Sequence, residues 1–273
     1  MLGGRALVVV GPQLAGARAL TIAARQVLAK EALGVADTQE RLDRNREGTG
    51  RWSYAVVGPR HLEVVSKLLY ATYHPDEPLT KHLGLCTGLN SLGEVDRKVE
   101  KLLAKNLTLL AYTGEGVPVG VAVNNACMEH EMDKTLEEAL AEVEASYRPI
   151  QAIHHQLRQA NQHIYKEIGT NKLLAIRMVG VEPECRGQGI ATNLIRRSIL
   201  LAGCLGFSGI KAEATGKFGR KAFATVGMIP ANSIRYADFE FNGEKPFAEV
   251  PNGETEIVFM KKKFFQSALK HIL

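Results

Sequence analysis

Acidic residues are missing from the first thirty positions, serine is missing from the first fifty, and aromatic residues make up only 6% of the 273, with one tryptophan. Four cysteines, Cys86, Cys127, Cys185 and Cys204, show no paired spacing. That argues against a disulfide framework or a cysteine-bound metal and for a reduced environment; no metal is expected. No apolar run approaches the ~18 uninterrupted residues of a membrane-spanning helix, so no membrane partner is expected. Nor is there a large excess of one charge. The formal net charge is +5, with 34 Lys and Arg against 29 Asp and Glu, interspersed over most of the length. This excludes a dedicated nucleic-acid surface while favouring an anionic small molecule. With 45% hydrophobic and 23% charged residues the composition is that of an ordinary soluble globular protein.

Up to Lys30 the chain carries Arg5, Arg18 and Arg25 among many Ala, Leu and Val. Such a composition suits an organelle transit peptide, although the missing serine does not, and a disordered extension or a small strand and helix are rival readings. Val8-Val9-Val10-Gly11 followed by Gly16 imitates a P-loop, but Ala17-Arg18 stands where Lys-Ser/Thr is required. From Asp37 to Arg51 the chain is charged and glycine-spotted, as a linker would be. The expected layout is an extension over 1–50, a folded domain over 51–265 and a tail over 266–273, in the cytoplasm or mitochondrion.

Leu173 to Leu205 is the most informative stretch. Leu173 to Val181 is apolar and branched enough for a buried strand, Pro183 ends it, and Ile190 to Leu205 has apolar residues at helical spacing. Between them lies Arg186-Gly187-Gln188-Gly189-Ile190-Ala191. Two glycines let backbone N–H groups converge without Cβ obstruction, and the following helix adds its unpaired N–H groups and dipole. A diphosphate suits such a turn, and a plain strand-to-helix connection is the alternative. The dinucleotide fingerprint is not met, because Thr192 occupies the place of its third glycine.

Arg-Gly-x-Gly-x-Ala after a strand ending at Val181 resembles the acyl-CoA pyrophosphate motif of the GNAT-type N-acetyltransferase superfamily. The resemblance implies that Arg186, Gly187, Gln188, Gly189, Ile190 and Ala191 hold the coenzyme pyrophosphate. It also implies that Val179, Gly180 and Val181 run beside the pantetheine arm. Gly180 in mid-strand then has a ready reason, the close approach of a ligand. Further upstream, Asp76-Glu77-Pro78-Leu79 with Leu83-Gly84-Leu85 resembles a loop of the invertebrate-type arylalkylamine N-acetyltransferases. Glu77 falls where that branch has its catalytic base. Downstream, Thr215 keeps the family's first hydroxyl residue, whereas Phe218 and Gly219 replace a tyrosine and a second hydroxyl. Lys217 and Arg220 are placed to face coenzyme phosphates. The resemblance covers about Ser53 to Phe264.

Taken in order, the folded part reads as a strand over Trp52 to Val57, a helix over Arg60 to Tyr73 and a proline-bounded loop around Glu77. A helix follows over Gly93 to Asn106, then a hairpin from Leu107 to Thr113 and Val117 to Asn124. Met128 to Ile168 shows long helical periodicity interrupted at Pro149, with His154, His155 and His163 read as helix-surface residues. A strand over Gly209 to Ala214, a helix ending at Gly227, a strand from Met228 to Phe239 that includes Tyr236 to Phe239, and a last strand from Glu256 to Phe264 complete the chain.

The expected fold is α/β of the α+β kind: a GNAT-like mixed, mostly antiparallel twisted sheet flanked by helices, with a helical insertion. The expected reaction is acetyl transfer from acetyl-CoA to a small, arylalkylamine-like primary amine. An ammonium of pKa ~10 must lose a proton before it attacks, which is the role implied for Glu77. A backbone N–H near Val179 to Val181 would hold the carbonyl oxygen, and Thr215 would assist the thiolate. Rival readings are a protein or peptide N-acetyltransferase and a catalytically lapsed acyl-CoA-binding module.

Overall fold

The computed structural model of the protein describes residues 51–85 and 92–264, which lie in a compact unit beginning at Thr49. The expectations for residues 1–50, for Cys86 and for the tail over 266–273 fall outside the described residues. Seven strands form one sheet: β1 (Trp52–Val57), β2 (Thr108–Thr113), β3 (Pro118–Met128), β4 (Lys172–Val181), β5 (Gly209–Ala214), β6 (Ile229–Arg235) and β7 (Glu256–Lys263). Their order is β1-β2-β3-β4-β5-β7-β6. All neighbours are antiparallel except β4 and β5. The expected mixed, mostly antiparallel sheet is therefore found.

Helices cover both faces. On one face lies α7 (Ile190–Cys204), whose Ile190, Leu194 and Ile195 pack on Leu109, Ala111, Ala122, Leu174 and Ile176. Gly120 of β3 lets α7 come close, because a Cβ there would meet the Ile190 side chain at 3.0 Å. On the other face α1 (Leu62–Thr72) and α3 (Leu92–Leu103) cover Leu110, Val121, Val123 and Met178. Beside them α5 (Arg148–Gln159) and α6 (Ile164–Ile168) pack Ile153, Leu157, Ile164 and Ile168 against Leu173, Ile257 and Phe259. Two short helices, α2 (Pro78–His82) and α4 (Leu136–Ala141), and α8 (Lys217–Thr225) complete the set used below.

Two sequence expectations are corrected. Met128 ends β3 rather than opening a helix, and Pro149 does not interrupt one: it stands in the first turn of α5, where a missing N–H costs nothing. The Tyr236-Ala237-Asp238-Phe239 stretch is not strand but a 3₁₀ turn over Tyr236–Asp238 that follows β6. At the other boundaries the chemistry reads as expected. Gly227, at φ +78°, closes α8, and a Cβ in that left-handed region would be strained.

One irregularity positions the site. Met178 pairs with Val123 and Ile176 with Asn124, so Arg177 is an extra residue, a β-bulge, in β4. Before the bulge Leu174 and Ile176 face α7; after it Met178 faces α1, so the alternation has changed phase. Gly180 consequently also points at α1, where a Cβ would overlap the Thr72 hydroxyl. This corrects the reason given for that glycine: the neighbour that excludes a side chain is the end of α1, not a ligand.

Candidate active site

Where β4 and β5 run side by side they pair only through Leu174–Ile210, Ala175–Lys211 and Ile176–Ala212. Beyond Ile176 β4 continues along β3 alone, and β5 continues along β7 alone. The sheet thus opens in a V. Val179, Gly180 and Val181 line its β4 edge, with backbone groups on that side unclaimed by a strand.

At the far end of β4 the chain makes a 3₁₀ turn over Pro183–Cys185 and enters α7 through the glycine turn. Gly187 and Gly189 both have left-handed φ, +74° and +78°, and no protein atom crowds a Cβ closer than 4.0 Å at either. Conformation, rather than packing, requires glycine there. Among the described residues no backbone carbonyl receives the N–H of Gly187, Gln188 or Gly189. Ile190 and Ala191 add the first turn of a fifteen-residue helix whose N-cap offers no side-chain bond. The turn is thus a set of N–H donors facing outward. Arg186 is otherwise engaged: its Nε donates to the Val181 carbonyl at 3.0 Å, and its guanidinium pairs with Asp76 at 2.7 Å. It ties the glycine turn to the loop that carries Glu77.

That loop leaves α1 at Tyr73, and the Asp76 and Glu77 N–H groups both donate back to the Tyr73 carbonyl. Glu77 is 6% exposed and serves as N-cap of α2. Its carboxylate accepts from the Leu79 N–H at 3.2 Å, the Thr80 N–H at 2.7 Å and the Thr80 hydroxyl. Pro78 at the first helical position donates nothing and so leaves those bonds undisturbed. The loop abuts the β5–α8 connection, since a Cβ on Gly216 would stand 3.3 Å from the Pro78 ring.

Glu77 lies on the wall of a cavity of about 120 Å³ between the parted strands, α3, α5 and the loop after α1. Tyr73, His74 and Thr80 share its wall with Glu77. Burial, followed by the nearby Glu77 charge, pushes the Tyr73 phenol well above its ordinary value, so it stays protonated. His74 is 6% exposed, and among the described residues neither ring nitrogen has a hydrogen-bond partner. Burial lowers its pKa from 6.5 to about 4, against the pull of Glu77.

The floor of the cavity holds a charge cluster that the sequence did not reveal. Glu213 receives the Arg158 Nε at 2.9 and 3.2 Å and lies 2.5 Å from the His154 Nδ1. Arg177 approaches Glu213 at 3.7 Å. Burial alone would raise the Glu213 pKa, but Arg158, His154 and Arg177 hold it well below the carboxylate range. Burial lowers the His154 pKa despite the carboxylate beside it. His154 is therefore not a helix-surface residue. Its partner lies 59 residues away, and no local pattern announces it. Lys211, 1% exposed, completes the cluster.

Thr215 follows β5 and its carbonyl accepts the Tyr236 hydroxyl at 2.6 Å. Tyr236 thus meets the site from a turn rather than a strand. Lys217 and Arg220 are held within the protein: the Lys217 ammonium donates to the Asn252 carbonyl at 2.9 Å, and Arg220 pairs with Glu256. Phe218 is 78% exposed. The His155 Nε2 donates to the Lys134 carbonyl at 2.9 Å, and His163 lies 3.9 Å from Glu167. Among the described residues Cys127, Cys185 and Cys204 form no disulfide.

No family model matches the chain and no curated protein matches it in sequence. Solved structures do. Arylalkylamine N-acetyltransferase 2 from Aedes aegypti superposes with a TM-score of 0.70 at 26% identity, over 78% of this chain and 98% of the mosquito protein. An agmatine N-acetyltransferase matches with a TM-score of 0.71 at 18% identity, over 78% of this chain and all (100%) of that one. The Drosophila melanogaster polyamine N-acetyltransferase matches with a TM-score of 0.68 at 18% identity, over the same 78% and 100%. The last two speak for the fold alone. Together with the V-shaped opening and the glycine turn, the likeness to the mosquito enzyme supports an N-acetyltransferase of GNAT fold, similar to the insect arylalkylamine N-acetyltransferases.

Proposed function

We propose that the protein acetylates a small primary amine by direct transfer from acetyl-CoA, with Glu77 as the general base. The observation that carries this reading is the buried Glu77 carboxylate on the wall of the cavity into which the parted strands open. Support for the coenzyme comes from the turn at 186 to 191, whose outward N–H donors and helix N-terminus suit a pyrophosphate. Lys217 and Arg220, paired within the protein, lend it little.

In the proposed reaction the amine nitrogen attacks the thioester carbon, the C–N bond forms and the C–S bond breaks. The amine proton passes to Glu77, directly or through water, and the departing thiolate takes up a proton. An N–H on the open edge of β4 near Val179 to Val181 would hold the carbonyl oxygen. Thr215 is the hydroxyl that the resemblance offers the thiolate, and Tyr73 is a second, brought to the cavity by the fold and kept protonated there. Exposed Phe218 does not stand in for it. A peptide acceptor would need an open groove, whereas α5 closes over the cavity with Ile150 and Gln151.

The three hydrogen bonds to Glu77 favour a second reading, a carboxylate kept only to cap α2. Glu77→Gln separates the two. As a base its loss lowers kcat about 10²-fold or more and flattens the acidic limb of the pH–rate profile, with coenzyme affinity unchanged. As a cap alone, its loss costs about 1 kcal/mol of stability and leaves kcat in place. Coenzyme thiol release over a panel of amines reads the first, and a denaturant titration the second.

A further inference from the structure

On the cavity floor two guanidiniums, Arg158 and Arg177, face one carboxylate, Glu213, with Lys211 beside them and Glu77 on the wall. Both Glu213 oxygens are occupied by Arg158 and one also by His154. That leaves Arg177 with a carboxylate only at 3.7 Å and with no hydrogen bond among the described residues. Lys211 has a thioether for an acceptor, the Met132 sulfur at 3.8 Å, and lies over the Tyr165 and Phe259 rings. Among the described residues the half-buried Arg177 guanidinium therefore keeps donors for a further acceptor, while burial lowers the Lys211 pKa.

Arg177 is also the bulged residue of β4. A bulge beside a cleft re-aims one side chain, and here that side chain is a guanidinium lining the cavity that contains Glu77. An acceptor that was only an ammonium on an apolar body would bring more positive charge to this floor. An acceptor that also bears a carboxylate would bring two oxygens in the geometry a guanidinium fork accepts.

We infer that the acceptor carries a carboxylate near its amine, as an amino acid does, and that Arg177 binds it. This deepens the acetyltransferase reading above and rests on it. Glu77 takes the amine proton at one end of the acceptor, and Arg177 fixes the other. Tyr73 lines the same cavity as both residues and feels the charges of both.

Thiol release is measured on matched acceptors with and without the carboxylate: phenylalanine against phenethylamine, tryptophan against tryptamine, glycine against methylamine. The carboxylated members are expected to have the higher kcat/KM. Arg177→Met is expected to lower their kcat/KM at least about 30-fold while little changing the plain amines, with Arg177→Lys in between. Succinyl-CoA in place of acetyl-CoA tests whether the anion comes instead on the acyl chain. A succinyl preference that vanishes in Arg177→Met, without an acceptor preference, overturns the inference. Calorimetry with N-acetylphenylalanine and N-acetylphenethylamine reads the same preference without turnover. Should plain amines react better, or should both classes suffer equally in Arg177→Met, the inference falls while the acetyltransferase reading stands. Selective binding of N-acetylphenylalanine with no thiol release from any acceptor keeps the anion site and sinks the proposed reaction.

Discussion

The glycine turn and the charged cavity lie at opposite ends of the same opening and are built on opposite plans. The turn is six consecutive residues whose donors are backbone N–H groups, and the open space at Gly187 and Gly189 imposes no packing demand there. The cavity is assembled from α3, α5, β4, β5 and the loop after α1, and its donors and acceptors are largely buried side chains. A local, backbone-made site can be lost with little effect on the fold. A site made of buried charges from several elements is part of what holds the fold together, because each partner offsets the desolvation of another.

The sharpest way to break this contrast is Glu213→Leu. It leaves Arg158 and Arg177 without their counter-charge and is expected to cost about 3–5 kcal/mol, read as a lowered urea midpoint at constant slope. A midpoint within error of the parent would mean that water already screens the cluster. Next in size is an acid sensitivity. The His74 pKa falls from 6.5 in the unfolded chain to about 4 in the folded one, so its contribution is fully present above 6.5 and is lost as pH falls towards 4. At ~1.4 kcal/mol per pH unit this amounts to about 3 kcal/mol, and His74→Phe is expected to remove it. His154, depressed in the same direction, keeps its own share of the slope, so the variant's stability profile should flatten between those limits without becoming level. The smallest change in stability belongs to the turn. Gly189→Val places a branched residue at φ +78°, at a cost of about 1–2 kcal/mol, yet is expected to abolish acetyl-CoA binding by calorimetry. A folded Gly189→Val protein with parental coenzyme affinity would remove the turn from the site.

The same difference in construction decides what could be read in advance. Strands β1 and β5 appear at their expected bounds because short branched runs end at Gly58 and begin at Gly209. The Gly187 and Gly189 positions and the Glu77 loop were legible because their information is contiguous. Arg177 was not, since one arginine in an apolar strand gives no sign of a bulge. His154 was read as a surface residue because nothing near it in sequence is its partner. Gly180 was noticed for its cost in a strand, but its neighbour, Thr72, is more than a hundred residues away and enters only through the tertiary fold. Lys217 and Arg220 show the converse: basic residues near a coenzyme motif whose partners, Asn252 and Glu256, come from a later segment.

The short ladder between β4 and β5 has a mechanical meaning. The seven strands amount to two plates, β1 to β4 and β5 with β7 and β6, joined edge to edge by a seam at Leu174–Ile210, Ala175–Lys211 and Ile176–Ala212. A load pulling the plates apart falls on that seam, while β3 and β4 remain zipped from Gly120–Val181 to Met128–Lys172. Whatever occupies the V spans both plates and stiffens the joint, so a bound ligand acts as the rivet that the backbone omits.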